Sequence, residues 1–148
     1  MKPITLPPPL VLGPLTRTDF VRYQGASGDM NPVHHDEPFA TAAGYPGPLA
    51  VGMFAAGVMN SWASDHLGPE NVRRTRVRWR KAAFPGTVLT INGKVAATRD
   101  EDQTVELEIT ATDQDGDIAL EVWMTFVLPP ESASDAASST TDSAEVPA

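Results

Sequence analysis

The chain contains no cysteine, which excludes disulfides, thiolate nucleophiles and zinc sites built on cysteine. It also lacks an apolar run of about 18 residues or more, so we expect no membrane-spanning segment. The N-terminal sequence has one lysine and an apolar patch broken by four prolines, which does not resemble a secretory signal. We therefore expect a cytoplasmic protein.

Basic residues are in the minority, since 11 lysines and arginines stand against 19 aspartates and glutamates, and the formal net charge is −8. Nucleic-acid binding, which needs a positive surface, is therefore not expected as a main role. The acid is unevenly spread, because four of these acidic residues and no basic residue fall in residues 131–148.

The chain divides into three zones. Residues 1–130 provide enough chain for a single domain with one hydrophobic core. Within that domain, residues 1–13 are proline-rich, and we expect them to form an extended arm on the body. Residues 131–148 have almost no large apolar side chain. Because such a segment cannot bury enough surface to offset its ordering entropy, we expect a disordered acidic tail.

Two short helices are predicted early in the domain. Thr18 is a suitable N-cap for a helix through Gln24. Asp36 resembles a second N-cap, with Pro38 in the first turn and Gly44 at the helix end.

The most apolar segment, residues 50–66, predicts a helix that is buried on all sides and ended by Gly68 and Pro69. One such helix followed by an antiparallel meander is the α+β hotdog arrangement, in which a sheet wraps around a central helix. The segments with strand character are residues 71–82, 87–98, 103–114 and 117–128, with hairpin turns at 99–102 and 113–116.

Two residues suited to proton transfer, Asp29 and His34, lie five positions apart in a segment rich in turn-forming residues. Pro32 fixes the backbone between them, and Gly28 permits a positive φ just before the aspartate. A carboxylate and an imidazole held side by side can share a water molecule, one taking its proton while the other supplies a proton to the substrate. The alternative is a structural loop in which an Asx turn precedes Asn-Pro.

The segment from residue 23 to residue 40 closely resembles the signature of the MaoC-like (R)-specific enoyl-CoA hydratase and 3-hydroxyacyl dehydratase family. In that signature an aromatic residue is followed by S-G-D-x-N-P-x-H, then by an acid and a helix of small residues. The resemblance extends over roughly residues 14–128. It implies that Asp29 and His34 are the catalytic pair that positions the water, and that Asn31 contributes to substrate binding. The matching positions are Tyr23, Ser27, Gly28, Asp29, Asn31, Pro32, His34 and Ala40.

The resemblance includes the G-P-L-A-x-G-M turn into the long helix, where the family uses a glycine N–H to polarise the thioester carbonyl. That glycine corresponds to Gly52. An early helix N–H has no partner within the helix and lies at the positive end of the helix dipole, so it suits this role. The alternative role for the glycine is close helix packing. Many family members have histidine just before it, whereas this chain has Val51, so any contribution of that side chain is lost here.

Three further polar residues lie near these positions. We assign His35 to the surface or to a local hydrogen bond. Asn60 follows Gly52 by eight residues and so lies on a similar helix face. A buried amide needs partners, so Asn60 either contacts the loop of Asp29 and the substrate or makes a core hydrogen bond.

Six basic residues crowd into residues 73–81, in contrast to the acidic composition of the chain. Strand alternation places the arginines at even positions on one face. They could bind the phosphates of coenzyme A, for which Arg78, Arg80 and Lys81 near the strand end are the candidates. The alternative is a solvated face that pairs with local carboxylates.

The resemblance implies a hydro-lyase that hydrates trans-2-enoyl-CoA with R specificity, or dehydrates 3-hydroxyacyl thioesters, in fatty-acid or steroid side-chain metabolism. CoA or acyl-carrier protein would carry the acyl group, and neither a metal nor another cofactor is implied. We expect a homodimer or a heterodimer with a paralogous subunit, without nucleic-acid or membrane partners. Two alternatives are a non-catalytic subunit of a heterodimeric hydratase and a hotdog acyl-CoA thioesterase.

Overall fold

An antiparallel five-stranded sheet and one long helix organise residues 3–129, which are the residues that a computed structural model describes. The predicted disordered tail, residues 131–148, lies outside the described residues. Within residues 3–129, no helix is both long and apolar enough to cross a membrane. In chain order the elements are β1 (Leu10–Leu12), α1 (Arg17–Ser27), α2 (Glu37–Ala42), α3 (Gly52–Leu67), β2 (Val72–Trp79), β3 (Leu89–Arg99), β4 (Thr104–Thr112) and β5 (Ile118–Val127).

The strands are ordered β1-β3-β4-β5-β2, and all neighbours are antiparallel. The predicted meander is confirmed for β3, β4 and β5. The strand that follows the long helix is not part of it, because β2 pairs with β5 at the far edge of the sheet. Residues 80–88 carry the chain back across the sheet. Two backbone hydrogen bonds of 2.8 Å hold them, from Ala50 N–H to the Ala83 carbonyl and from Leu15 N–H to the Thr87 carbonyl.

The proline-rich arm lies on the body, as the sequence predicts, and its residues 10–12 add β1 to the edge of β3. Two side chains of α3 hold the residues before β1. The indole N–H of Trp62 donates to the Pro8 carbonyl at 2.9 Å, and Nε2 of His66 donates to the Thr5 carbonyl at 2.7 Å. The arm therefore closes one edge of the sheet.

Helix α3 packs one side against the sheet, where Met59 is fully buried. Gly93 of β3 makes room for the ring of Trp62, since a Cβ on this residue would lie 2.8 Å from a ring carbon. The prediction that the helix is buried on all sides is wrong for the single chain. Met53 is 48% exposed and Ser61 is exposed as well, because the sheet covers only one side of the helix.

Helix α1 begins earlier and ends later than the sequence interpretation placed it. Its N-cap is Thr16 rather than Thr18. The Thr16 hydroxyl accepts the Asp19 N–H at 3.2 Å, and the Asp19 carboxylate accepts the Thr16 N–H at 2.8 Å. Thr16 is preferred because an acid three residues later completes this reciprocal capping box. The second predicted cap is confirmed, since the carboxylate of Asp36 accepts the Phe39 N–H at 2.9 Å.

Candidate active site

The loop between α1 and α2 begins at Gly28, which has the predicted left-handed conformation with φ of 76°. Its N–H donates to the Gln24 carbonyl at 2.8 Å, and glycine meets this geometry at the least steric cost. Asn31 then caps a single 3-10 turn, Pro32–His34, since its Oδ1 accepts the Val33 N–H at 3.1 Å. The predicted ordered loop is confirmed. The side chain of Asn31 holds the loop itself, so its contact with substrate stays a prediction.

Gln24 is a loop-positioning residue that the sequence interpretation missed. It is 2% exposed, and its amide nitrogen donates to the backbone carbonyls of Asp29 at 2.9 Å and Asn31 at 3.2 Å. Its amide oxygen accepts from Nδ1 of His35 at 3.1 Å, which confirms a local hydrogen bond for that histidine. Gln24 lies four residues after the buried Phe20 and therefore on the same helix face, which was the available signal.

His34 is buried, with 8% of its surface exposed. Its Nδ1 lies 2.9 Å from the carbonyl oxygen of Leu49. Because a carbonyl oxygen only accepts, Nδ1 carries the hydrogen, and Nε2 of the neutral ring then holds the free lone pair. A second bond of 3.3 Å, from the Leu49 N–H to the Val33 carbonyl, joins the same two segments. The turn before α3 thus fixes both the tautomer and the orientation of His34.

Asp29 and His34 are adjacent in the structure, as the loop pattern predicts. Nε2 of His34 lies 3.7 Å from Oδ2 of Asp29. This separation is too long for a direct hydrogen bond and suits one water molecule that contacts both groups. The side chain of Asp29 is 46% exposed and that of His34 only 10%. The carboxylate therefore forms the open side of the pair.

Gly52 is the first residue of α3, and within residues 3–129 its N–H has no hydrogen-bond acceptor. The indole N–H of Trp79 donates to the Gly52 carbonyl at 3.1 Å, and a Cβ on residue 52 would lie 2.7 Å from that indole nitrogen. Close packing, the alternative that the sequence left open, thus accounts for the glycine. The N–H remains available at the positive end of the helix, so its role as a donor to substrate stays a prediction. Val51 before it is buried and forms no side-chain cap.

An apolar cleft opens beside the start of α3. The rings of Tyr23 and Phe54 have centroids 5.5 Å apart and are tilted by 47°. With Asp19 and Arg22 they line a cleft of about 270 Å³. Phe54 follows Gly52 by two residues, so the cleft lies beside the first turn of α3.

Asn60 has partners away from the loop of Asp29. Its amide nitrogen donates to the Ala56 carbonyl at 2.7 Å, and its amide oxygen accepts the Thr75 hydroxyl at 2.9 Å. Both amide groups of Asn60 thus have partners, but the bond with Thr75 is exposed and not in the core, and it ties α3 to β2. The assignment of Asn60 to substrate binding stays a prediction.

The basic residues at the end of β2 differ in how far their charge is neutralised. Nε of Arg80 lies 2.6 Å from a carboxylate oxygen of Glu121. Arg78, by contrast, forms no ion pair with any residue in the range 3–129. Phosphate binding by this region stays a prediction, and Arg78 is the candidate whose charge is still free.

Lys81 is held between two aspartates of the β4–β5 turn. Its Nζ lies 2.5 Å from Oδ2 of Asp113 and 2.8 Å from Oδ2 of Asp117. The other oxygen of Asp113 accepts the N–H groups of Asp115 and Asp117, each at 3.0 Å. The hydrogen bond from Lys81 lowers the pKa of the Asp113 carboxyl, and the hydrogen bonds to Asp113 and Asp117 raise the pKa of Lys81. The cluster orders the turn, and its two carboxylates neutralise the Lys81 ammonium that would otherwise be available to a phosphate.

Replacing Lys81 with methionine is expected to lower the melting temperature at neutral pH but not in acid. The pair stabilises the fold between the lowered pKa of Asp113 and the raised pKa of Lys81, where both groups are charged. As the pH falls through the lowered pKa of Asp113, that contribution is lost and the two proteins converge. Thermal unfolding followed by circular dichroism at both pH values measures the difference.

The control for this prediction is Lys94→Met, which removes an exposed pair with Glu108 at 3.1 Å. Such a pair contributes little, so the control should melt near the wild-type temperature at either pH. A Lys81→Met protein that is equally destabilised at neutral and acid pH would show that its ion pairs are not the cause.

Residues 7–115 match the family described as MaoC like domain. The 3-hydroxyacyl-thioester dehydratase Y of Mycobacterium tuberculosis is 37% identical over 78 residues, which are 50% of this chain and 27% of that protein. The peroxisomal hydratase-dehydrogenase-epimerase of Saccharomyces cerevisiae is 32% identical over 76 residues, 51% of this chain and 8% of that protein. The chain therefore spans well under two thirds of the length of these curated relatives.

Solved structures share the fold. The (R)-hydratase from A. caviae superposes with a TM-score of 0.74 at 20% identity, covering 87% of this chain and 100% of that chain. A chain of the ChsH1-ChsH2 complex from Mycobacterium tuberculosis superposes with a TM-score of 0.73 at 20% identity, covering 82% and 94%. The predicted hotdog architecture is thus confirmed. Because the matched residues make up most of the chain and include Asp29, His34 and Gly52, this chain belongs to the MaoC-like domain family.

Proposed function

We propose that this chain catalyses the reversible addition of water to the double bond of a trans-2-enoyl thioester. The observation that carries the proposal is the pair of His34 and Asp29. A buried histidine, bound through Nδ1 to the Leu49 carbonyl, turns its Nε2 towards a half-exposed carboxylate 3.7 Å away, so that one water molecule can contact both groups. Relatives named 3-hydroxyacyl-thioester dehydratase and enoyl-CoA hydratase support the same hydro-lyase chemistry.

In the hydration direction the pair acts on a single water molecule. The water oxygen forms a bond with C3 of the enoyl group while one water proton passes to Nε2 of His34. The electron pair of the double bond moves towards the thioester and gives an enolate. C2 then receives a proton from the pair of His34 and Asp29, which regains its starting protonation state.

The enolate oxygen requires a donor, and the N–H of Gly52 is the candidate because it is free and lies at the helix start. The acyl chain would extend along the aromatic cleft of Tyr23 and Phe54. Phosphate groups of the carrier would meet Arg78. Arg80 and Lys81 would join it only by exchanging their carboxylate partners.

We propose CoA or acyl-carrier protein as the acyl carrier, in cytoplasmic fatty-acid or steroid side-chain metabolism. The active unit would be a dimer, either of two copies or of this chain with a MaoC-like paralogue. Two observations support a partner. No other part of the described range 3–129 covers the edge of β2 or one side of α3, and similar solved structures include the ChsH1-ChsH2 and HadBC complexes.

The test is a panel of trans-2-enoyl-CoA substrates, from short to steroid-sized, given to the purified chain alone and then with candidate MaoC-like partners. Loss of the conjugated double bond without release of free thiol supports the proposal. Release of free thiol would identify a thioesterase instead. Activity that requires a partner and survives His34→Ala in this chain would make this chain the non-catalytic subunit. Val51, which stands where many family members have histidine, keeps that alternative open.

The hydration product is expected to be the (3R)-hydroxyacyl thioester. Asp29 and His34 flank one water on a single side of the substrate, so hydroxyl and proton reach the same face. The N–H of Gly52 would hold the thioester oxygen and thereby fix which face is presented. The R sense itself comes from the resemblance to R-specific hydratases. Chiral chromatography measures it, and a mainly (3S) product would mean that the substrate lies reversed.

A further inference from the structure

Strand β2 is a long open edge of the sheet. It pairs with β5 on one side, and among residues 3–129 its eight residues have no strand partner on the other. The opposite edge, β1, has only three residues and follows the prolines at positions 7–9. A long edge strand with free N–H and carbonyl groups is a site at which another chain adds its own strand. The dimer proposed above would therefore join at β2.

One face of β2 is already used by the fold. Thr75 and Trp79 make hydrogen bonds to α3, and Val77 between them packs against the core. Side chains alternate along a strand, so residues at even positions point to the outer face. Three residues of the strand form this arginine row: Arg74, Arg76 and Arg78.

The arginine row carries charge that the described part of the chain does not neutralise, since none of its members forms an ion pair with a residue in the range 3–129. The guanidinium of Arg76 lies over the ring of Trp123, 4.3 Å from its centroid. Two carboxylates lie beside the row, and each is bound by another arginine: Glu106 by Arg99 at 3.2 Å, and Glu121, opposite Arg78 in the ladder, by Arg80 at 2.6 Å. Within residues 3–129 the row is therefore a positive stripe without ion pairs of its own, in a chain whose net charge is −8.

In a homodimer, the two-fold symmetry determines which residues of the second copy lie opposite the arginine row. Two copies that join through β2 around a two-fold axis, with both α3 helices on one side, form one continuous helix-covered face. Directly opposite residues of an antiparallel ladder point to the same face, so even positions then lie opposite even positions in every register. Every even position from 74 to 80 is arginine. Any register centred on this stretch therefore sets arginine opposite arginine, which destabilises the ladder.

We infer that β2 pairs with a different MaoC-like subunit, one whose edge strand presents carboxylates on its outer face. Carboxylates opposite Arg74 and Arg76 then stand where a homodimer has arginine–arginine pairs, and Arg78 at the end of the strand keeps its charge for the phosphate role proposed above. The inference rests on the dimer proposed above and specifies which of its two forms is built. Salt acts oppositely on the two forms, because screening weakens arginine–carboxylate attraction and relieves arginine–arginine repulsion.

The chain itself supplies a probe of the complementary charge. A copy with Arg74→Glu and Arg78→Glu has an acidic outer face on β2 and keeps the contact of Arg76 with Trp123. Wild type and this copy carry different tags, are mixed, and their dimers are counted by native mass spectrometry at low and high salt. At low salt we expect the association constant of the mixed dimer to exceed that of either homodimer by about tenfold. The preference should shrink at high salt.

A matched control makes the same change of charge away from β2, with Arg22→Glu on α1 and Lys94→Glu on β3. This copy should pair with wild type no better than wild type pairs with itself, and circular dichroism establishes that each variant is folded. A wild-type homodimer that is as tight as the mixed dimer and insensitive to salt would overturn the inference. That result would not affect the hydratase proposal, which the enoyl-CoA panel tests separately. Proteins that all stay monomeric would overturn both the inference and the proposed dimer.

Discussion

Replacing Asp29 with asparagine or His34 with alanine is expected to lower the turnover of an enoyl thioester by about a hundredfold or more, because each change removes half of the acid–base pair. Asparagine keeps the side-chain oxygen that accepts the Asn31 N–H at 3.3 Å, but it carries no charge and cannot pass a proton to C2. Alanine removes the Nε2 lone pair that lies 3.7 Å from the carboxylate. Steady-state hydration kinetics with one good substrate measure both variants.

The two variants differ in what they do to the fold. Asp29 is half exposed, so its replacement should leave the melting temperature nearly unchanged. His34 is buried and bonded to Leu49, and losing that bond costs about 1–3 kcal/mol, so its alanine variant is assayed well below its melting temperature. His35→Ala is the control, since this exposed neighbour should keep most of the activity. Near-normal turnover of either pair variant would contradict the mechanism.

The geometry of the Asp29 loop could be predicted from the sequence because its determinants are local. Gly28 takes a conformation that glycine favours, and Asn31 caps a turn that starts at the next residue. The tautomer of His34 could not be predicted, because Leu49 lies fifteen residues further along the chain. Residues next to each other in the sequence determine the backbone of the site and can be recognised there. The orientation of a side chain such as His34 depends on tertiary contacts, which the sequence pattern does not show.

The same division applies to the sheet and its basic strand. Strand periodicity and turn residues placed the strands within a few residues of their observed bounds. They do not specify that β2 pairs with β5, because the path of residues 80–88 over the start of α3 decides that order. The carboxylate partners of Arg80 and Lys81 lie 41 and 32 residues away. A basic strand has the same sequence pattern whether its partners are phosphates or distant carboxylates.

Replacing Gly52 with alanine is expected to lower kcat by about tenfold or more with a smaller change in KM. The added Cβ would lie 2.7 Å from Nε1 of Trp79, so the indole or the first turn of α3 must move. The N–H that we propose as donor to the enolate oxygen belongs to this turn. Because that bond strengthens as charge develops in the transition state, its misplacement acts mainly on kcat.

Gly57→Ala is the matched control on the same helix. Apart from its chain neighbours and the backbone of α3, no atom of residues 3–129 lies within 4 Å of the added Cβ. Alanine is more favourable than glycine in a helix interior by about 0.8–1 kcal/mol, so this variant should keep or raise the melting temperature. A comparison of the two substitutions separates the effect of the site at Gly52 from the general effect of an alanine in α3.

A second substitution, at Trp79, tests whether the fall in kcat of Gly52→Ala comes from the contact between the new Cβ and the indole. Trp79→Leu removes the indole that the new Cβ would strike, together with the hydrogen bond of 3.1 Å to the Gly52 carbonyl. In the Trp79→Leu background the alanine should therefore cost less kcat than in the wild type, so the two losses should not add. Additive losses would mean that the alanine acts otherwise than through Trp79. An alanine variant with a lower melting temperature and an unchanged kcat would leave Gly52 a packing role and remove its N–H from the mechanism.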